Sequence, residues 1–222
     1  MTRLYVVVEG QTEETFVDEV LARVLHPLGI FPRARLLGKP GHKGGDVRYS
    51  RVSSDVLTLL KQDGGAYCTT LVDFCGLGSD FPGKELAATK NSAQAKAQAV
   101  EQAVFDDISS KLGDARRFIP YVQMHEFEGL LFSDPEAFAK ALYSPGLASE
   151  FGKIRAMFQT PEDIDEGRET APSKRVLGLF PEYDKALNGP LAALGIGVER
   201  MRQECPHFNE WLGKLQALAK QP

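Results

Sequence analysis

The sequence predicts an α/β protein: a wound sheet of about four parallel strands in residues 1–133, followed by a helical C-terminal subdomain in residues 134–222. Two observations predict the sheet. Short β-branched and aromatic runs alternate with stretches of helical periodicity through the first half, and acidic residues follow several of those runs at once. A third predicts the subdomain: beyond Asp134 the strand-like runs stop, and proline and glycine separate short helical stretches.

Leu4-Tyr5-Val6-Val7-Val8 is a continuous apolar run, as expected of a strand buried on both faces. A helix should follow, with Thr12 as its cap and Glu13 and Glu14 at the positive end of its dipole. Phe16, Val17, Val20, Leu21, Val24 and Leu25 make its buried face, and Pro27 and Gly29 end it. A second strand is expected within Ile30 to Leu37, then a Gly/Lys-rich loop from Gly38 to Asp46, then a helix from about Val52 carrying Val56, Leu57 and Leu60. Ala66 to Phe74 reads as the third strand, and Asn91 to Leu112 as a long helix buried along Ala93, Ala97, Val100, Val104, Ile108 and Leu112. Phe118 to Met124 is the fourth strand, where Pro120 predicts an edge position or a bulge. Alternating strands and helices specify parallel pairing, because each right-handed crossover needs a helix.

At 222 residues the chain can bury a substantial core. Cys68, Cys75 and Cys205 are odd in number and lack zinc-ligand spacing, so reduced thiols in the cytoplasm are expected. The apolar run Leu4 to Val8 is too short for a signal peptide or a membrane span. A net charge of −4 argues against a surface coated for nucleic acid, but the charge is uneven. Arg33, Arg35, Lys39, Lys43, Arg48 and Arg51 face only Asp46 in their segment, whereas Glu162, Asp163, Asp165, Glu166 and Glu169 surround Arg168. The acidic run reads most simply as a solvated loop.

In an open parallel sheet ligands bind beyond the carboxyl ends of the strands. Those ends are acidic here: Glu9 after the first, Asp73 at the third, and His125-Glu126-Phe127-Glu128 after the fourth. Carboxylates gathered at one edge repel unless a cation joins them, and hard oxygen ligands suit Mg2+ or Mn2+.

Val8-Glu9-Gly10-Gln11-Thr12-Glu13 at a first strand end resembles the opening motif of Toprim domains, the catalytic fold of topoisomerases, bacterial primases and OLD-type nucleases. With Leu71-Val72-Asp73-Phe74, Asp80 to Gly83, His125 to Phe132 and Pro172 to Arg175 added, the chain resembles the bacterial proteins grouped as domain of unknown function 4276. The Toprim resemblance implies an acid or base at Glu9 and a metal-binding Asp-x-Asp after the third strand. Asp73 matches the first aspartate, and Cys75 stands where the second belongs. A thiol suits Mg2+ poorly, which leaves Asp80, Glu126 and Glu128 as substitutes. The implied activity is Mg2+- or Mn2+-dependent cleavage of phosphodiester bonds, as by a nuclease in defence against phage. Glu9 or His125 would move the proton and Lys174 would assist, while Lys39, Lys43, Arg48, Arg51 and Arg175 would hold flanking phosphates. The alternatives are a non-catalytic module that binds nucleic acid or a partner ATPase, and a hydrolase of small phosphorylated compounds.

Two further patterns fail. His125-Glu126 lacks the second histidine of a zinc protease, because Gly129 occupies its place. Gly78 to Glu85 imitates a phosphate-binding loop, but Glu85 replaces the magnesium-binding hydroxyl, so any ATP hydrolysis would come from a separate partner. Lys174 and Arg175 in the first turn of a helix oppose its dipole and hint at an anion there. Trp211, Leu212, Leu215 and Leu218 read as the packing face of the last helix.

Overall fold

A computed structural model describes residues 1–37, 47–165, 167 and 169–220. β1 (Thr2–Val8) lies between β2 (Ile30–Leu36) and β3 (Tyr67–Asp73), and all three run parallel. Two short pieces, β4 (Phe118–Ile119) and β5 (Val122–Gln123), both pair with β3, so the order is β2-β1-β3 and then this divided edge. Pro120 is the cause of the division. It has no N–H to donate, and the threonines of β3 bridge the gap: Thr70 Oγ1 donates to Tyr121 O at 2.7 Å and accepts Tyr121 N–H at 2.9 Å. The wound parallel sheet is the one expected.

The first helical stretch differs at its start. Gly10, not Thr12, is the cap residue of α1 (Gln11–Phe16), and the Glu13 carboxylate accepts the Gly10 N–H at 3.0 Å. Thr12 lies buried inside the helix. The stretch continues through a π turn at Val17–Leu21 into α2 (Ala22–Leu25) and ends at Gly29. α3 (Tyr49–Gln62) begins three residues before the expected Val52. α4 (Lys84–Ala88) is a short helix that the periodicity did not signal, and it packs on α5 (Ala93–Leu112), which Ser92 caps. Gly83, at φ +78°, shows the use of the glycine-rich stretch before α4: a Cβ there would stand 2.5 Å from Ala99 O. It is a close approach between helices, consistent with the rejected phosphate-loop reading.

One sheet face carries α3 and α5 over Val7, Cys68, Val72, Val52, Val56, Val100 and Ile108. The other carries α1 and the C-terminal helices: α6 (Pro135–Ala141), α7 (Ala148–Ala156), α8 (Pro172–Leu179), α9 (Lys185–Ile196), α10 (Val198–Glu204) and α11 (Pro206–Ala217). Among the described residues no strand occurs after Asp134, as expected. The apolar cluster runs from Leu4, Val6 and Leu71 through Phe132 to Trp211, so it crosses the change of pattern at residue 134. Trp211 stacks on Tyr121 at 4.3 Å and donates its Nε1–H to Thr69 Oγ1 at 2.8 Å, which fastens the last long helix to β3. It is a packing residue, as its spacing implied.

The acidic run after residue 161 is not simply a solvated loop. Glu162 is 3% exposed and accepts the N–H groups of His207 and Phe208 at 2.9 and 2.8 Å, so it serves the orphan amides at the start of α11. Among the described residues no helix is long and apolar enough to cross a membrane.

Candidate functional site

β1 and β3 are neighbours running in one direction, with Val8 opposite Leu71. Glu9 and Asp73 therefore emerge at the same end of adjacent strands, and the Asp73 amide favours the charged form of Glu9. Gly76, in the turn after β3, provides the space for this: a Cβ there would stand 2.9 Å from Glu9 Oε2. Glu13 joins from the first turn of α1. Glu126 and Glu128 come from the turn after β5. Glu126 Oε2 accepts the Ser173 N–H at 2.8 Å, which identifies the anion expected at the start of α8 as one of the chain's own carboxylates. Lys185, at the start of α9, lies 3.2 Å from Glu128 Oε2 and 3.7 Å from Glu126 Oε1.

Burial raises the pKa of Glu9, Glu13 and Glu128 and takes that of Asp73 well above its ordinary value. Like charge adds to this at Asp73, where Glu13, Glu9 and Glu128 push upward and Lys185 opposes them. Burial disfavours the Lys185 ammonium, but Glu128, Glu126 and Asp73 outweigh it and hold that pKa above its ordinary value. The Tyr183 hydroxyl, just before α9, is raised by burial and by Glu128.

Glu9 Oε2, Asp73 Oδ1 and Glu128 Oε1 are buried without a hydrogen-bond partner. Unpaired buried acceptors are rare because each loses its hydration for nothing in return. Three of them on mutually interacting carboxylates are the kind of oxygen donor that a hard divalent cation such as Mg2+ or Mn2+ takes. Asp80, another candidate ligand, is exposed in the loop before α4.

His125 sits beside this edge. Its backbone is left-handed at φ 60°, and its Nδ1 lies 3.0 Å from Asp165 Oδ2. Burial lowers its pKa although Asp165 pulls the other way. The Cys75 amide donates to His125 O at 3.2 Å. Loss of hydration, with Asp165, Glu126 and Asp73 nearby, pushes the Cys75 thiol up to about 12. Cys75, His125 and Asp165 each offer a ligand atom within 4.8 Å of the others.

Of the basic candidates, Arg48 and Arg51 are exposed at the start of α3. They flank the edge because Val47 exchanges backbone hydrogen bonds with Gly76 O and Gly78 N. Lys174 is exposed on α8, and Arg175 donates to Thr170 O at 2.6 Å and lies over the Phe158 ring. Lys39 and Lys43 lie outside the described residues. Sequence reasoning missed Glu13, Lys185, Tyr183 and Asp165 as members of the site. Glu9 and Glu13 are four residues apart, which was a usable signal, but the other three arrive from the C-terminal half with no local pattern.

No curated protein matches the chain. Among solved structures it is similar to the C-terminal region of the Burkholderia pseudomallei OLD protein, at 14% identity and a TM-score of 0.48 over 99% of each chain. It is also similar to the C-terminal region of the Xanthomonas campestris pv. campestris OLD protein, at 15% identity and a TM-score of 0.45 over 99% of this chain and 97% of that one. The family model described as domain of unknown function, DUF4276, matches residues 8–216, nearly the whole sequence, and the chain therefore belongs to that family.

Proposed function

We propose that the chain is a Mg2+- or Mn2+-dependent enzyme that cleaves phosphodiester bonds, a nuclease in its simplest form. The observation that carries this reading is the set of unpaired buried oxygens on Glu9, Asp73 and Glu128 at one sheet edge. Glu9, Asp73 and Glu128 would hold the ion, with Glu126 beside them, and a bound ion supplies Lewis acidity and an activated water. Glu13 keeps Gly10 in place and adds negative charge behind the ligands. His125, whose pKa burial lowers, would accept a proton beside the ion. Arg48 and Arg51, with Lys39, Lys43, Lys174 and Arg175, would contact flanking phosphates.

Cys75 in place of the second motif aspartate favours one other reading, a non-catalytic module that binds nucleic acid or a partner ATPase. A role in phage defence and a cytoplasmic setting, which suits three free thiols, belong to the proposal. The test is cleavage of single- and double-stranded DNA and RNA with Mg2+ or Mn2+, comparing the wild type with Glu9→Gln and Asp73→Asn. Cleavage lost in both variants supports the enzyme. Cleavage surviving in both overturns it, salt-sensitive retention of nucleic acid without cleavage favours the module, and turnover of nucleotides alone changes the substrate class.

A further inference from the structure

We propose that Cys75, His125 and Asp165 form a second metal site beside the carboxylate edge, selective for a borderline divalent transition ion such as Zn2+ over Mg2+. The three ligand atoms lie within 4.8 Å of one another, close enough for one ion to draw them together. They arrive from three remote segments: the turn after β3, the residue two beyond β5, and the loop before α8. His125 is 9% exposed, and its Nδ1 has no hydrogen-bond partner even though Asp165 Oδ2 is 3.0 Å away. Nδ1 is thus left without a hydrogen bond of its own, as a ligating nitrogen would be. The left-handed backbone of His125 is a further sign, since such strain persists in non-glycine residues chiefly where the surroundings enforce a functional orientation.

The chemistry of the set selects the ion. Sulfur, imidazole nitrogen and one carboxylate oxygen suit a tetrahedral zinc-type ion, whereas Mg2+ demands six hard oxygen ligands. Three protein ligands leave a fourth position, and Cys75 is open to solvent, so a water or a substrate oxygen can enter there. On binding, the Cys75 thiol gives up its proton to solvent and the sulfur takes the metal instead. Cys75 also feels Asp73 and Glu126, so an ion here would lie next to the ion that the edge itself would hold. The thiol at the second motif position would then serve an ion of a different kind.

The test uses Co2+ as the probe on the full chain after chelator treatment. We expect a thiolate-to-cobalt charge-transfer band that saturates at one equivalent, persists in excess Mg2+, and remains in Glu9→Gln, which separates this site from the carboxylate edge. Cys75→Ser should abolish the band, and Asp165→Asn should weaken cobalt affinity by roughly tenfold or more. Absence of the band in the wild type, or a band unchanged in Cys75→Ser, overturns the proposal. A second measurement needs no variant: Cys68 and Cys205 are buried, so Cys75 is the thiol that an alkylating reagent reaches in the native chain. Zn2+ should slow that alkylation at least tenfold, and an unchanged rate overturns the site.

Discussion

Beneath α11, Glu101 Oε1 accepts the Val122 N–H at 2.9 Å and meets His207 Nε2 at 2.8 Å, while both Glu162 oxygens accept amides of the same helix. At the sheet edge, Glu9 Oε2, Asp73 Oδ1 and Glu128 Oε1 are also shielded from water, yet none of these oxygens has a donor. The two regions share a residue type and differ in satisfaction. Acids buried for the fold find their hydrogen bonds within it, and acids buried for a ligand leave some of theirs open.

The interior depends on Trp211, whose ring stacks on Tyr121 and whose Nε1–H reaches Thr69. Trp211→Ala should destabilise the chain by about 3–5 kcal/mol in denaturant unfolding, and a loss below 1 kcal/mol would mean that α11 is not held as described. At the edge, Asp73→Asn should lower cleavage by roughly 10²- to 10³-fold without lowering the melting temperature of the metal-free protein. Destabilisation there would show that Asp73 serves the fold instead. Glu162→Ala strands two buried amides and should cost about 1–3 kcal/mol, the reverse of Glu128→Gln, which removes one raised carboxylate and should stabilise the metal-free chain by about 1 kcal/mol.

Glu9, Glu13, Asp73 and Glu128 have raised pKa values, so the folded chain keeps protons that the unfolded chain has released. The penalty is absent below about pH 4, where both states are protonated, and grows as pH climbs toward the folded values. Mn2+ should therefore raise the melting temperature more at pH 8 than at pH 5. Equal shifts at the two pH values would remove the edge as the binding place.

This contrast also explains what was legible in the sequence. Glu9 and Asp73 could be found because each ends an apolar run, and Pro120 announced the divided edge because a missing N–H is a local property. Glu162 and Asp165 were misjudged as solvated because what buries them, α11 and His125, lies about 40 residues away in each case. Lys185 and Tyr183 carry no mark of their own, since a lysine at a helix start looks the same whether it faces water or two glutamates. Cys75 was legible as a departure from a motif, and its neighbours Asp165 and His125 became visible only in three dimensions.

Glu126 gives the edge a reach beyond itself. One oxygen holds the Ser173 amide and the other faces Lys185, so a single carboxylate is shared by the first turns of two successive helices. An ion that draws Glu126 inward would slacken both attachments, and by reciprocity whatever braces those helices would tune how firmly the ion is gripped. The C-terminal half is then a lever on the chemistry as well as a cover for the sheet.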